Sequence, residues 1–291
     1  MSLIAQPILQ ARAKLGEGSI WDSHKNVLYW VDILGCCFHI FDPVTGINKT
    51  IDVGAHVGTI VKRSQRSGGG FIVGLPGRIA HVGDDGKVET LCELEKGLNN
   101  RMNDGKCDPT GHFWCGSMNY DEKKGAGNLW MLDLNRQLHL KLSDVTISNG
   151  ITWSADATKM YYIDTPTGHL DVFDFAIESG DITNRRVCVQ NTFGGHFDGM
   201  TMDSKGNLYV AAWGGGCVYI FDPNKGSLLD RISVPGVKNV TSCAFGGEEL
   251  NQLFITSSAD KTKIEDEPNA GALFCVEIPG VHGTKAFEYA G

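Results

Sequence analysis

The chain reads as short apolar runs whose alternate residues change character, divided by polar or glycine-rich turns. In CVYIFDPNKG from Cys217, for instance, Val218 and Ile220 share one face and Tyr219 and Phe221 the other. A period of two marks strands, and no long stretch with the helical period of about 3.6 competes with it. The runs also repeat. SIWDSHKNVLYWVD from Ser19, KCDPTGHFWCGSMN from Lys106, ITWSADATKMYYID from Ile151, MTMDSKGNLYVAAW from Met200 and CAFGGEELNQLFIT from Cys243 are each an apolar strand, a turn and an apolar-aromatic strand. Third strands follow in CCFHIFDPVTG from Cys36, HLDVFDFAIESG from His169 and CVYIFDPNKG, and a weaker copy, beginning IVKRSQRSGGGFIVG at Ile60, fills the remaining gap. Starts near 19, 61, 106, 151, 200 and 243 lie 42 to 49 residues apart, the spacing of four-stranded propeller blades. The pattern predicts an all-β, six-bladed β-propeller forming one domain over 1–291. Leu3 to Ala11 is expected to complete the last blade, which is expected to end near Gly291.

Position within the repeat singles out chemistry. Aligning the copies on the first-turn residues Asp22, Asp108, Ser154 and Asp203 places Glu17, Asn103, Asn149 and Asp198 five residues earlier in each. The first strand of a propeller blade is innermost, so equal phase means equal depth along the axis. Two carboxylates and two amides at one depth form a hard-oxygen set suited to Ca²⁺, Mg²⁺ or Mn²⁺, and Zn²⁺ also takes oxygen ligands. Turn chemistry explains Asn-Gly and Asp-Gly pairs but not Glu17. Arg101, two residues before Asn103, either reaches the channel mouth to hold a polar substrate or is a solvated loop residue. His196, two before Asp198, is a functional group or a structural hydrogen-bonder. Trp130, Trp153 and Tyr162 are expected to pack between strands, and Trp213, followed by three glycines, to lie at a rim.

Composition narrows the classes. Thirty-seven glycines against nine prolines fit tight turns rather than low complexity. With a net charge of −8 and no Lys/Arg cluster longer than a pair, nothing supplies a phosphate-neutralising stripe, so nucleic acid is not an expected partner. No run approaches the roughly 18 apolar residues of a helical membrane span, and Met1 to Lys14 lacks the layout of a secretory signal, so a cytoplasmic protein is expected. Nine cysteines, an odd number without a C-x-x-C pair, are expected to be thiols, with Cys107, Cys188, Cys243 and Cys275 buried. The sequons at Asn48 and Asn239 would then stay unused. No G-x-S-x-G, H-E-x-x-H, P-loop or EF-hand loop is present, which disfavours serine-nucleophile and nucleotide chemistry.

Four spaced segments, LGEGSIWD, LNNRMNDGKCDPTGHFWCGSM, ISNGITWSAD with MYYID, and FDGMTMDSKGNLYVAAW, together with TSCAFGG, NAGALF and a closing YAG, resemble the family of gluconolactonases, senescence marker protein-30 (regucalcin) and luciferin-regenerating enzyme. The resemblance runs in order along nearly the whole chain. It implies a six-bladed propeller holding one axial divalent cation, with the metal-binding positions at Glu17, Asn149 and Asp198 and substrate contacts at Arg101 and Asn103. A further acidic substrate contact would fall near Asp121, where Asn119-Tyr120-Asp121 departs from the family pattern. The implied activity is hydrolysis of a sugar lactone, with the cation polarising the carbonyl and Asp198 as general base. A calcium-binding regulatory protein, a luciferin-regenerating or organophosphate-hydrolysing enzyme, and a metal-free interaction platform are the other readings. A monomer or weak homo-oligomer is expected.

Overall fold

The computed structural model describes residues 3–291, so Met1 and Ser2, where the expected domain begins, lie outside the described residues. Among the described residues, six antiparallel sheets form the blades of a β-propeller. Their innermost strands are Gly16–Asp22, Thr59–Lys62, Asn100–Cys107, Ser148–Trp153, His196–Met202 and Val240–Gly246, for blades 1 to 6. Each packs against the innermost strands of the blades before and after it, and blade 6 returns to blade 1. These strands begin a few residues before the repeat starts read from the sequence, and that earlier stretch carries the site.

The expected seam forms. Gln6–Leu9 is the outermost strand of blade 6, antiparallel to Leu273–Glu277, while Leu3–Ile4 adds a parallel strand outside blade 5. Pairing Gln6–Leu9 with the last blade joins the two sequence-distant parts of the chain in one sheet and so closes the ring between blades 6 and 1.

The core lies between blades, because each sheet buries apolar side chains on both faces. Trp21 of blade 1 stacks on Phe254 of blade 6 with centroids 5.3 Å apart, and Trp114 of blade 3 meets Trp153 of blade 4 edge-on at 5.8 Å. Trp153 and Tyr162 are core residues, as expected; Trp130 is partly buried and donates through Nε1 to Glu95. The first-turn aspartates explain their own recurrence. Asp22 accepts the amides of His24 and Lys25, Asp108 those of Thr110 and His112, and Asp203 those of Lys205 and Asn207, closing the same turn in three blades.

Two expectations need correction. The last blade ends at Glu277, not near Gly291. Pro279 has no amide to donate to a ladder, and Gly280, at φ +70°, turns the chain away. The remaining segment crosses the first-turn end of the propeller: Ser204 donates to His282 O, Glu288 pairs with Lys62 at 3.0 Å, and Tyr289 Oη reaches Asp133 O at 2.8 Å. It covers that end of the channel over a cavity of about 70 Å³ whose lining includes Trp21, Lys106, Trp153, Phe245 and Phe287. Secondly, all nine cysteines are free thiols, but Cys188 and Cys275 are half-buried rather than buried, because their strands lie toward the outside of blades 4 and 6. No described helix is long and apolar enough to cross a membrane.

Candidate functional site

At the end of the channel opposite the crossing segment, four innermost strands present the side chains singled out by phase. Glu17, Asn103, Asn149 and Asp198 are all buried, with 4 to 6% of their surface exposed. A regular strand would not bring them there so uniformly. In each of the four, the pairing register slips at the site: between Glu17 and Ile20, Met102 and Gly105, Ser148 and Ile151, and Phe197 and Met200. A bulge leaves residues unpaired and re-aims their side chains, so one irregularity repeated around the ring builds the site.

Glycine follows three of these residues for steric reasons. Gly18 has φ +54°, and its amide donates back to Glu17 Oε2 at 2.7 Å. A Cβ on Gly150 would sit 2.8 Å from the Asp198 carbonyl, so the strands of blades 4 and 5 converge at the axis only because that residue has no side chain.

The side chains form a chain of hydrogen bonds from blade 3 to blade 5. Arg101 Nη1 donates to Asn103 Oδ1 at 2.5 Å, and Asn103 Nδ2 donates to Asn149 Oδ1 at 3.0 Å and to Ser148 O at 2.6 Å. Asn149 Nδ2 donates to Thr165 Oγ1 at 2.7 Å, and Thr165 donates to Phe197 O at 2.8 Å, next to Asp198. These bonds fix both amide orientations: Asn149 turns its oxygen inward and spends its NH₂ on Thr165. That oxygen keeps a second lone pair after accepting from Asn103.

The electrostatics are strongly acidic. Burial, then Asp198 and Asp104, push the Glu17 carboxyl well above its ordinary range, and burial and Asp104 do the same to Asp198. The two carboxyls lie close enough to perturb each other directly. Burial lowers the pKa of Arg101, whose charge is felt by Asp198. At the rim, His56 Nδ1 and Tyr120 Oη lie 2.8 Å apart, and burial and the Arg101 charge lower the pKa of His56.

The structure brings together Glu17, Arg101, Asn103, Asn149 and Asp198, and Arg101 is buried at the mouth rather than solvated. It does not bring Asp121 into this group: Asp121 is exposed on the turn after Phe113–Asn119, accepting from Asn99 Nδ2 at 3.1 Å. His196 is likewise exposed, across the ladder from half-buried Trp213. Sequence reasoning missed Asp104 and Thr165. Strict alternation turns the neighbour of an inward Asn away from the axis, and Thr165 follows the second strand, outside the phase that was compared.

These residues fit a divalent cation. Among the described residues no three His, Cys, Asp or Glu groups converge as a metal cluster. Two adjoining carboxylates and a fixed amide oxygen do converge, and Asp104 Oδ2, buried without a hydrogen-bond partner, adds negative charge nearby. Adjoining buried carboxylates repel unless positive charge or protons offset them, and a hard cation accepts such oxygens.

Fold and site together define a six-bladed propeller with a carboxylate–amide centre at one axial mouth. A family profile described as the SMP-30/Gluconolactonase/LRE-like region matches residues 15–259. The chain is 37% identical over 276 residues to a Bacillus subtilis protein named "Putative sugar lactone lactonase YvrE", covering 92% of each. It superposes on a solved luciferin-regenerating enzyme with a TM-score of 0.93 at 30% identity, covering 99% of each chain. A structure from Agrobacterium tumefaciens, described as a calcium-binding protein, regucalcin, gives 0.93 at 25% identity over the whole of both chains. The protein belongs to the SMP-30/gluconolactonase/LRE-like family.

Proposed function

We propose that this chain is a divalent-metal-dependent lactonase that opens sugar lactones, with one cation, Ca²⁺, Zn²⁺, Mn²⁺ or Mg²⁺, held by Glu17, Asn149 and Asp198. Membership of a family that includes gluconolactonases supports sugar-lactone hydrolysis in general. The observation that carries the finer reading is the pairing of buried Glu17 and Asp198 beside a buried Arg101–Asn103 unit at one axial end of the propeller.

A bound cation would polarise the lactone carbonyl and stabilise negative charge on its oxygen. The chain supplies the rest. Asp198 takes a proton from water as the water oxygen bonds to the carbonyl carbon. The bond from that carbon to the ring oxygen breaks, and Asp198 returns the proton to the departing oxygen, leaving a hydroxy acid. Arg101, anchored on Asn103 and the Met102 carbonyl at 3.2 Å, holds the sugar's oxygens in register with Asp198. Asp121, from the rim, takes a sugar hydroxyl and contributes to the choice of lactone. The nine free thiols accord with residence in the cytoplasm, and the chain acts as a monomer or weak homo-oligomer.

Stripping the protein with a chelator and following acid release from a panel of aldonolactones, while each ion is restored singly, tests this reading. Hydrolysis is expected to vanish on stripping and return with at least one ion. Unchanged hydrolysis in the stripped protein would defeat metal dependence. A second reading, a calcium-binding regulatory protein, draws on the same oxygens and on the description of the Agrobacterium relative. Stoichiometric Ca²⁺ binding with no lactone opened under any ion would favour it, though it leaves Arg101 at the mouth without a use.

A further inference from the structure

Lys106 starts on blade 3 and ends on blade 5. Its stem lines the cavity at the covered end of the channel, and its Nζ donates to the carbonyl of Met200, two residues beyond Asp198. The ammonium therefore crosses the channel past blade 4, one step deeper than the Glu17–Asp198 pair. Asp104 sits two residues away on the same bulged strand. Its Oδ1 accepts only the adjacent Gly105 amide, at 2.7 Å, while Oδ2 is buried and accepts nothing. The slip between Met102 and Gly105 brings it inward together with Asn103.

Nothing in the packing calls for this carboxylate. It caps no turn, bridges no blades, and leaves one buried oxygen unpaired, which is costly for a fold. Nor does it converge with Glu17 and Asp198 as a third ligand. What remains is its charge, acting through a poorly polarisable interior. Counting formal charges around the axis, Glu17, Asp198 and Asp104 are negative, and Lys106 and Arg101 positive. Without a cation, burial drives all three carboxyls toward their protonated forms; with a divalent one bound and the carboxylates ionised, the sum is one positive charge. That single positive excess matches the one negative charge that develops on a lactone carbonyl oxygen. Burial lowers the pKa of Lys106 while Asp104 holds it up, as expected of groups that feel each other.

We propose that Asp104 and Lys106 are an opposed pair of positioning residues that sets the affinity of the axial site for its cation by charge alone, Asp104 strengthening it and Lys106 weakening it. This rests on the reading of Glu17, Asn149 and Asp198 as a cation site. The test is titration calorimetry of chelator-stripped, full-length protein with Mn²⁺ and with Ca²⁺, comparing wild type, Asp104→Asn and Lys106→Met. Asp104→Asn is isosteric and Lys106→Met is unbranched but one heavy atom shorter, and thermal melts of the stripped proteins check that each is folded. Asp104→Asn is expected to weaken binding about tenfold or more, the scale on which one nearby charge moves an ionisation equilibrium, and Lys106→Met to tighten it. If Asp104→Asn does not fold, the sign of the Lys106→Met effect decides alone. Unchanged affinity in both variants, or a loss in both as a merely structural role would give, overturns the proposal. A wild-type protein that binds neither ion overturns the cation reading itself and this inference with it, whereas a binding wild type with indifferent variants overturns this inference only.

Discussion

Replacing Asp198 with Asn is expected to lower kcat on a sugar lactone by about 10²- to 10⁴-fold, the range a positioned general base contributes. The substitution keeps an oxygen at the same place and loses the ability to take a proton. Measured at saturating cation, the loss separates the base from any weakening of metal binding. The fold should survive. Asp198 is raised by burial and Asp104, so its charge is unfavourable to the metal-free protein, and removing it should leave the melting temperature of that form unchanged or higher. Steady-state kinetics at several cation concentrations, with melts of stripped protein, provide the check. Near-normal kcat at saturation would remove Asp198 from its role as base.

Gly58→Ala is expected to damage both activity and stability although the residue carries no functional group. Gly58 lies on blade 2 just before Thr59–Lys62, and its amide donates to Gly74 O at 2.9 Å. A Cβ there would lie 2.3 Å from both the carbonyl carbon and the oxygen of Met102, and 2.7 Å from the Asn103 amide. These are backbone atoms with no rotamer to escape into, so the blade 3 strand carrying Arg101 and Asn103 has to move. A misplacement of about 1 Å at a reacting centre costs on the order of 10²-fold in rate. Overpacking of this kind costs about 1–3 kcal/mol of stability. The expected result is a kcat/KM reduced about a hundredfold together with a melting temperature lower by several degrees. Wild-type kinetics in Gly58→Ala would show that the approach of blades 2 and 3 does not position Arg101 and Asn103.

The blades were legible because each must fill both faces of its strands with apolar side chains and then turn tightly, and that requirement recurs six times. The residues at the mouth were legible for a narrower reason. A propeller puts equal phase at equal depth, and Glu17, Asn103, Asn149 and Asp198 are not what an inner strand selects for itself. The device that aims them, a bulge at that phase in four blades, leaves no pattern of its own. Its effect was nevertheless what hid Asp104, since alternation assigns the neighbour of an inward Asn to the opposite face. Thr165 was hidden differently: it joins Asn149 to the Phe197 carbonyl from a turn that has no counterpart in the aligned phase. The last segment was misassigned because a repeat count extends to the end of the chain by default. Pro279 and Gly280 were the signal that the blade had finished.

The resemblance to the family added roles to the residues that phase selected, and its match over residues 15–259 bears out the relationship. It did not carry Asp121 inward. That carboxylate sits exposed beside Asn99, so any part it plays belongs to the rim and to the choice of sugar rather than to the buried centre.

The central claim is that Glu17, Asn149 and Asp198 hold the cation on which lactone hydrolysis depends. The most direct measurement is a crystal structure of protein loaded with Mn²⁺, read in an anomalous difference map alongside activity of the same preparation. The expected result is one strong peak on the axis, bonded to carboxylate oxygens of Glu17 and Asp198 and to Asn149 Oδ1, in a preparation that hydrolyses lactone. An active preparation with no peak there, or with its peak on other residues, would contradict it.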